Sequence, residues 1–277
     1  MGEVVVGGVP VRYAVDGPAD WPPVLLVHGS GAHRGWWYLV VPHLVAAGLR
    51  VIALDLSGHG DSGHRDDYDA GVWGEELLAV AGPGRPLLVA HSLGGRLGVL
   101  TAAAHPAAFA GLVLIDTPLR PPPSYQAALA AGRLRRRPRE QRRHADREEL
   151  VARFRLAPPQ PHPPGEVMRA VAERGVRELD GMWAWKHDQG GFPGLYGPEL
   201  LAAAAGLRLP VSYVYGAESA LVNADEAEFV RNLVPGEVPV VPVAGGRHHL
   251  SLDRPAECAA AVVAARCGID GPRWARP

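Results

Sequence analysis

The run Leu87 to Gly95, LLVAHSLGG, ends an apolar stretch on a serine set between small residues. Within it, Ala90-His91-Ser92-Leu93-Gly94 has the form of a nucleophile elbow, the sharp strand-to-helix turn that lifts a serine hydroxyl clear of a parallel sheet. Such a turn strains the serine backbone and packs the helix start against the strand, so the positions two before and two after must be small. Ala90 and Gly94 satisfy that demand, with alanine standing where glycine is commoner. The chemistry implied is nucleophilic catalysis. A serine hydroxyl is too weak an acid to attack a carbonyl unaided, and needs a base within hydrogen-bond reach and a third group to orient that base. The five residues alone also fit an ordinary strand followed by a helix with Ser92 near its N-cap, so the rest of the chain has to supply the partners.

The elements that would position them alternate in type. β-Branched runs are separated by longer Ala/Leu-rich segments, the order of a mostly parallel sheet covered by helices. Val4–Val6 and Val9–Val15 read as an opening hairpin turning at Gly7-Gly8. Parallel strands are expected at Val24–Val27, Arg50–Leu54, Leu87–Ala90 and Leu112–Ile115, then near Val211–Tyr215 and Val238–Val243. Helices are expected over Trp36–Ala47, Ala70–Ala81, Leu93–Ala104, Ala224–Leu233 and Pro255–Arg266. Each strand ends in a polar or glycine-rich cluster, and ligands of open parallel sheets bind at those carboxyl ends.

Residues 118–209 break the rhythm. Pro121-Pro122-Pro123, an arginine run from Arg133 to Arg143 and the turn Ala157–Gly165 fall here, with helical patches at Tyr125–Leu134, Arg147–Phe154 and Val167–Leu179 and no strand alternation. This segment reads as a helical cap inserted after the sixth strand, dividing a core of residues 1–117 and 210–277. Glu140, Asp146, Glu148 and Glu149 interleave or follow the arginines, which favours a solvated surface over an anion patch.

Composition narrows the function classes. At 277 residues, 47% hydrophobic and with a formal net charge of −1, the chain can bury a large core and carries no global field for nucleic acid or an anionic membrane. Lys186 is the single lysine, which excludes a Walker A loop because no lysine follows a glycine there. Cys258 and Cys267 lack a CxxC or Cys/His neighbourhood and read as small hydrophobes in a reducing compartment. The start shows no basic segment followed by an apolar one and no stretch reaches the length of a membrane span, so a cytoplasmic protein, monomer or homodimer, is expected.

Four segments together carry a family likeness: HGSG at His28–Gly31, DLSGHGDS at Asp55–Ser62, AHSLGG at Ala90–Gly95 and GGRHHLSLDRP at Gly245–Pro255. In order and spacing the chain resembles an α/β-hydrolase of the serine-nucleophile branch with a helical cap. The resemblance implies an eight-stranded, mostly parallel sheet, with Ser92 as nucleophile. The family's base follows the last strand, seven residues before a proline, which selects His248 ahead of Pro255 over His249; Arg247 stands where the family usually has glycine. The oxyanion hole maps onto the backbone N–H groups of Leu93 and Ser30. Gly29 and Gly31 let that loop turn its amide inward.

The acid departs from the common pattern. Most relatives place it after the seventh strand as Gly-x-x-Asp, but YGAESALVNADE offers Ser219 there. A subset pairs such a serine with an aspartate after the sixth strand, which points to Asp116, with Glu218 and Asp225 as alternatives. His59, Asp61 and His64 could suggest a metal, yet this loop recurs in the family as a structural turn with Asp61 bonding backbone amides; no metal and no cofactor are expected. Trp36, Trp37, Trp183, Trp185, Lys186 and His249 are candidate pocket residues, with a place in the core as the equal alternative for the tryptophans and the lysine. The expected activity is hydrolysis of a small ester, lactone or thioester through an acyl-enzyme. A C–C bond hydrolase or a ligand-binding receptor remains the alternative.

Overall fold

The computed structural model describes residues 1–130, 141–161, 163–189 and 191–270. The arginine run from 133 and the end of the helical patch at 125–134 fall largely outside them.

Eight strands form one sheet in the order β1-β2-β4-β3-β5-β6-β9-β10. β1 (Gly2–Val6) and β2 (Val9–Asp16) make the antiparallel edge, and β2 pairs antiparallel with β4 (Arg50–Leu54). From there β3 (Pro23–Val27), β5 (Leu87–His91), β6 (Gly111–Ile115), β9 (Val211–Gly216) and β10 (Val240–Val243) run parallel. The central strands LLVAH and GLVLI are buried along their whole length. That is why they read as continuous apolar runs rather than alternating ones: helices cover both faces.

On one face, α2 (Ala70–Ala81) and α3 (Leu93–Ala104) bury Trp73, Leu77 and Leu97 together with Val27, Leu88 and Leu114. On the other, α1 (Val41–Ala46) and α10 (Pro255–Asp270) bury Leu44, Cys258 and Val262 against Leu26, Val89 and Val113. Cys258 is the small core residue expected, and Cys267 is half-buried; both are free thiols. α8 (Ala224–Leu233) is capped by the Asn223 side chain on the Glu226 amide and follows β9. Instead of one helix over Trp36–Ala47, a 3-10 turn at Arg34–Trp37 precedes α1. Short α9 (Leu250–Asp253) follows the loop after β10.

Between β6 and β9 the chain carries α4 (Pro123–Ala130), α5 (Arg147–Ala152), α6 (Gly165–Arg174), a hairpin of β7 (Val176–Leu179) and β8 (Met182–Trp185), and α7 (Pro198–Ala205). The hairpin corrects the expectation of a purely helical insertion: the patch expected to run helically to Leu179 ends at Arg174. Its turn, Asp180-Gly181, has positive φ at both residues, 52° and 77°, the two-residue geometry that matches strand twist. α7 packs Leu200 and Ala204 into the same cluster as α2 and α3, so the end of the insertion joins the helical layer of the sheet.

Candidate active site

The carboxyl ends of β3, β5, β6, β9 and β10 lie on one edge of the sheet, and Ser30, Ser92, Asp116, Glu218 and His248 each follow one of them. At the end of β5, Ser92 has φ 54° and ψ −115°, a conformation that costs a non-glycine residue on the order of 1–3 kcal/mol and persists only where its surroundings over-determine it. They do so here. The Ser92 amide donates to the Ile115 carbonyl at 3.2 Å, locking the turn to the end of β6. A Cβ at Gly94 would stand 2.5 Å from the His28 carbonyl oxygen, and one at Gly95 would collide with the Thr117 side chain. The alanine at position 90 is accommodated because it faces Gly98, where even an added Cβ would lie 3.5 Å from the Ala90 methyl.

The three acid candidates separate cleanly. Asp116 is fully buried, also at positive φ (42°), and its Oδ1 accepts from His248 Nδ1 at 2.8 Å. The same oxygen accepts from the Ser219 hydroxyl at 2.7 Å, and Oδ2 accepts from the Gly216 amide at 2.8 Å. Glu218 instead points outward and pairs with Arg247 at 2.6 Å. Asp225 opens α8, and its backbone carbonyl takes a bond from Arg120. Neither meets His248.

Burial pushes the His248 imidazole well below its ordinary pKa, and the nearby Arg96 charge acts in the same direction. The ring therefore rests neutral. With Nδ1–H committed to Asp116, the lone pair is on Nε2, the form a general base requires. Burial pushes the Asp116 carboxyl up, opposed by the Gly216 amide, the Ser219 hydroxyl and the field of His91. These donors are what let a carboxylate survive in so dry a place.

Two backbone amides near the serine are uncommitted. Leu93 is the first residue of α3, whose N–H has no intrahelical partner, and neither it nor the Ser30 amide makes a hydrogen bond among the described residues. The Ser92 hydroxyl likewise makes none. The loop bearing Ser30 is fixed from below by His28, whose Nε2 accepts from the Leu56 amide at 3.1 Å. It closes on the elbow so tightly that a Cβ at Gly29 would lie 3.2 Å from Ser92 Cβ.

Two further contributors escaped the sequence reading. His91 is buried and its Nε2–H donates to the His248 carbonyl at 2.8 Å, tying the elbow to the base loop. Arg96, one turn into α3 and buried, donates to the carbonyls of Gly194 and Pro118 at 2.6 and 3.3 Å and to Tyr196 Oη at 3.0 Å, so it binds the insertion to the helix behind the serine. Ser219, which the sequence pairs with Asp116, bonds its carboxylate as expected.

A cavity of about 320 Å³ opens on this edge, with Ser30, Gly31, Trp36, Phe154, Trp185 and Lys186 among its walls. Two pocket expectations need correction. Trp37 is 1% exposed and packs in the core under α1, while its neighbour Trp36 faces the cavity, because consecutive residues of a 3-10 turn point in different directions. Trp183 packs against Leu150, Val151 and Ala172. Its hairpin partner Trp185 lines the cavity. His249 is buried edge-on against Trp36, with ring centroids 5.0 Å apart. Asp61 departs from its expected role too: its carboxylate pairs with Arg34 and Lys186, each at 2.6 Å, while Asp55 accepts the Arg34 and Asp61 amides. His59 stacks on Phe192. The loop is thus a structural turn, as expected, though held by a different aspartate.

Residues 24–261 match the alpha/beta hydrolase family. The chain belongs to that family. It is 30% identical over 225 residues to an esterase of Mycobacterium tuberculosis, a match spanning 76% of this chain and 71% of that protein. A monoacylglycerol lipase of Mycolicibacterium smegmatis is 35% identical over 120 residues, which is 39% of this chain and 43% of the lipase, so the chain spans under half the length of that relative. Among solved structures, a hypothetical protein of Pseudomonas aeruginosa superposes with TM-score 0.75 at 28% identity, covering 96% of this chain and 98% of that one. A thioesterase domain from the curacin biosynthetic pathway superposes with TM-score 0.79 at 23% identity, covering 95% and 98%, and attests the fold. No helix among the described residues is long and apolar enough to cross a membrane.

Proposed function

We propose that the chain is a serine hydrolase of small esters or thioesters, with Ser92 as nucleophile, His248 as base and Asp116 as the orienting acid. The observation that carries this reading is the 2.8 Å bond from His248 Nδ1 to Asp116 at the strand end beside the strained Ser92. Ser92 Oγ attacks the acyl carbon while His248 Nε2 takes its proton. The oxyanion then meets the Leu93 and Ser30 amides, whose N–H groups are uncommitted among the described residues. Collapse expels the leaving group, protonated by the imidazolium, and leaves Ser92 acylated. Water, deprotonated by His248 in turn, releases the acid. Asp116 keeps Nδ1 protonated throughout and supports the transient imidazolium without itself taking the proton.

The segment between β6 and β9 serves as the cap over the acyl group in this reading. Its support is that Trp185 and Phe154 share the cavity with Ser30. The esterase and lipase names of the relatives favour ester hydrolysis over C–C cleavage. Labelling by a fluorophosphonate probe at Ser92, followed by turnover of p-nitrophenyl acetate and butyrate, tests the proposal. Absence of both defeats it, and labelling without turnover leaves a receptor.

A further inference from the structure

His91, His248 and His249 form a cluster that the hydrolytic mechanism uses only in part. A ring nitrogen of each lies within 4.8 Å of those of the other two, and the residues are 7%, 3% and 3% exposed. In two of them, one nitrogen is already engaged in the way that orients a metal-binding imidazole. His248 Nδ1 donates to the Asp116 carboxylate, leaving Nε2 as the lone pair, and His91 Nε2 donates to the His248 carbonyl, leaving Nδ1. The third is different. Among the described residues the buried His249 ring has at most the Pro158 carbonyl as a partner, which leaves one ring nitrogen free. A buried imidazole nitrogen left without a partner is destabilising and is free to take a ligand.

From this arrangement we infer that His91, His248 and His249 are a reversible inhibitory site for a borderline transition cation, Zn²⁺ foremost. The cation would sit on the lone pair with which His248 takes the Ser92 proton. Imidazole suits Zn²⁺ and Cu²⁺ and not Mg²⁺ or Ca²⁺. Three histidines with an open fourth position form a common zinc coordination set. Tetrahedral bonds of about 2.0–2.1 Å require the three nitrogens about 3.4 Å apart, so the rings need only close inward from their present spacing. The inhibition, though not the binding, rests on the serine-hydrolase reading.

The experiment is calorimetric titration of the full chain with ZnCl₂ in a non-chelating buffer, with Co²⁺ absorption reporting coordination and fluorophosphonate labelling of Ser92 reporting access to the base. Expected are one Zn²⁺ per chain, a tetrahedral Co²⁺ spectrum, at least tenfold slower labelling reversed by EDTA, and no effect of Mg²⁺. His249→Ala and His249→Gln, each checked for folding by thermal melting, should weaken Zn²⁺ by at least tenfold. Unchanged affinity in folded His249 variants would place the ion elsewhere and overturn the site, as would failure of the wild type to bind. Binding that leaves labelling unslowed would overturn the inhibition. If the wild type is never labelled, the hydrolase reading fails separately, and calorimetry and Co²⁺ absorption still decide the metal site.

Discussion

The hydroxyl of Ser219 donates to Asp116 Oδ1 at 2.7 Å, the same oxygen that accepts from His248. Ser219 follows β9, where the family resemblance would put the acid, and in the proposed triad it supports an acid placed one strand inward. Asp116→Asn should therefore keep the fold and lower turnover on the order of 10²-fold to 10⁴-fold, through the wrong histidine tautomer and an unsupported imidazolium. Glu218→Gln, which disturbs only an exposed pair with Arg247, should change kcat/KM by less than about twofold. Comparable losses in both would remove Asp116 from the role.

Ser92→Ala should abolish turnover, a loss on the order of 10⁴-fold to 10⁶-fold, and His248→Ala should match it because serine and base act as one unit. His249→Ala should cost far less, since the Asp116 carboxylate meets His248 and not its neighbour. Steady-state kinetics on p-nitrophenyl acetate rank the three. A larger effect at His249 than at His248 would reverse the assignment.

Much of this was legible in residues, and the failures have physical causes. The central strands were readable because parallel strands buried on both faces are unbroken apolar runs, the opening hairpin because Gly7-Gly8 turns between two β-branched segments, and Ser92 because its turn tolerates only small flanking residues. The hairpin at 176–185 was hidden by strands of four residues, too short for alternation to register, although Asp180-Gly181 between VREL and MWAW is itself a hairpin signal. Trp36 and Trp37 could not be told apart, since which of two adjacent residues faces the core depends on the 3-10 turn that carries them. Arg96 and the bond from His91 to the His248 carbonyl span about 100 and 157 residues of sequence, and no local pattern announces them.

The two hairpin tryptophans should behave differently. Trp185 lines the cavity, so Trp185→Ala should alter the ratio of kcat/KM for octanoate over acetate esters by about tenfold, the scale of about 1.4 kcal/mol of pocket contact. Trp183 packs on Leu150, Val151 and Ala172 beneath the Arg147 guanidinium. Trp183→Ala should leave that ratio alone and lower stability by about 2 kcal/mol. An unchanged chain-length profile in Trp185→Ala would return it to a packing role.

Stability should fall with acid early. Burial pushes His33 and His91 down to about 3, and six more described histidines, at positions 28, 59, 64, 187, 248 and 249, are also lowered. A histidine kept neutral by folding contributes fully above its unfolded value of about 6.5, and that contribution is lost as pH falls toward its folded value, at up to about 1.4 kcal/mol per pH unit. Asp116, Glu76 and Asp253, raised by burial, work the other way but are outnumbered. Urea unfolding should give a plateau above pH 7 and a decline between 6.5 and 5. A flat or rising profile there would show the histidines to be more solvated than they stand.

The sharpest test of the relocated acid is to move it back. Ser219 Oγ and His248 Nδ1 bond the same Asp116 oxygen, so a carboxylate grown from position 219 extends toward the space that oxygen occupies. It can also keep the amides of Leu221 and Val222 that Ser219 now accepts. In an Asp116→Asn background, Ser219→Asp should recover at least about tenfold of the lost kcat/KM. Ser219→Asp alone should reduce activity, because two carboxylates sharing a buried site cannot both stay ionised. The cycle of wild type, two single variants and the double variant isolates the coupling. A double variant no better than Asp116→Asn would mean that the carboxylate at position 116 does more than orient His248, and that its bond to the Gly216 amide contributes to the shape of the active loop.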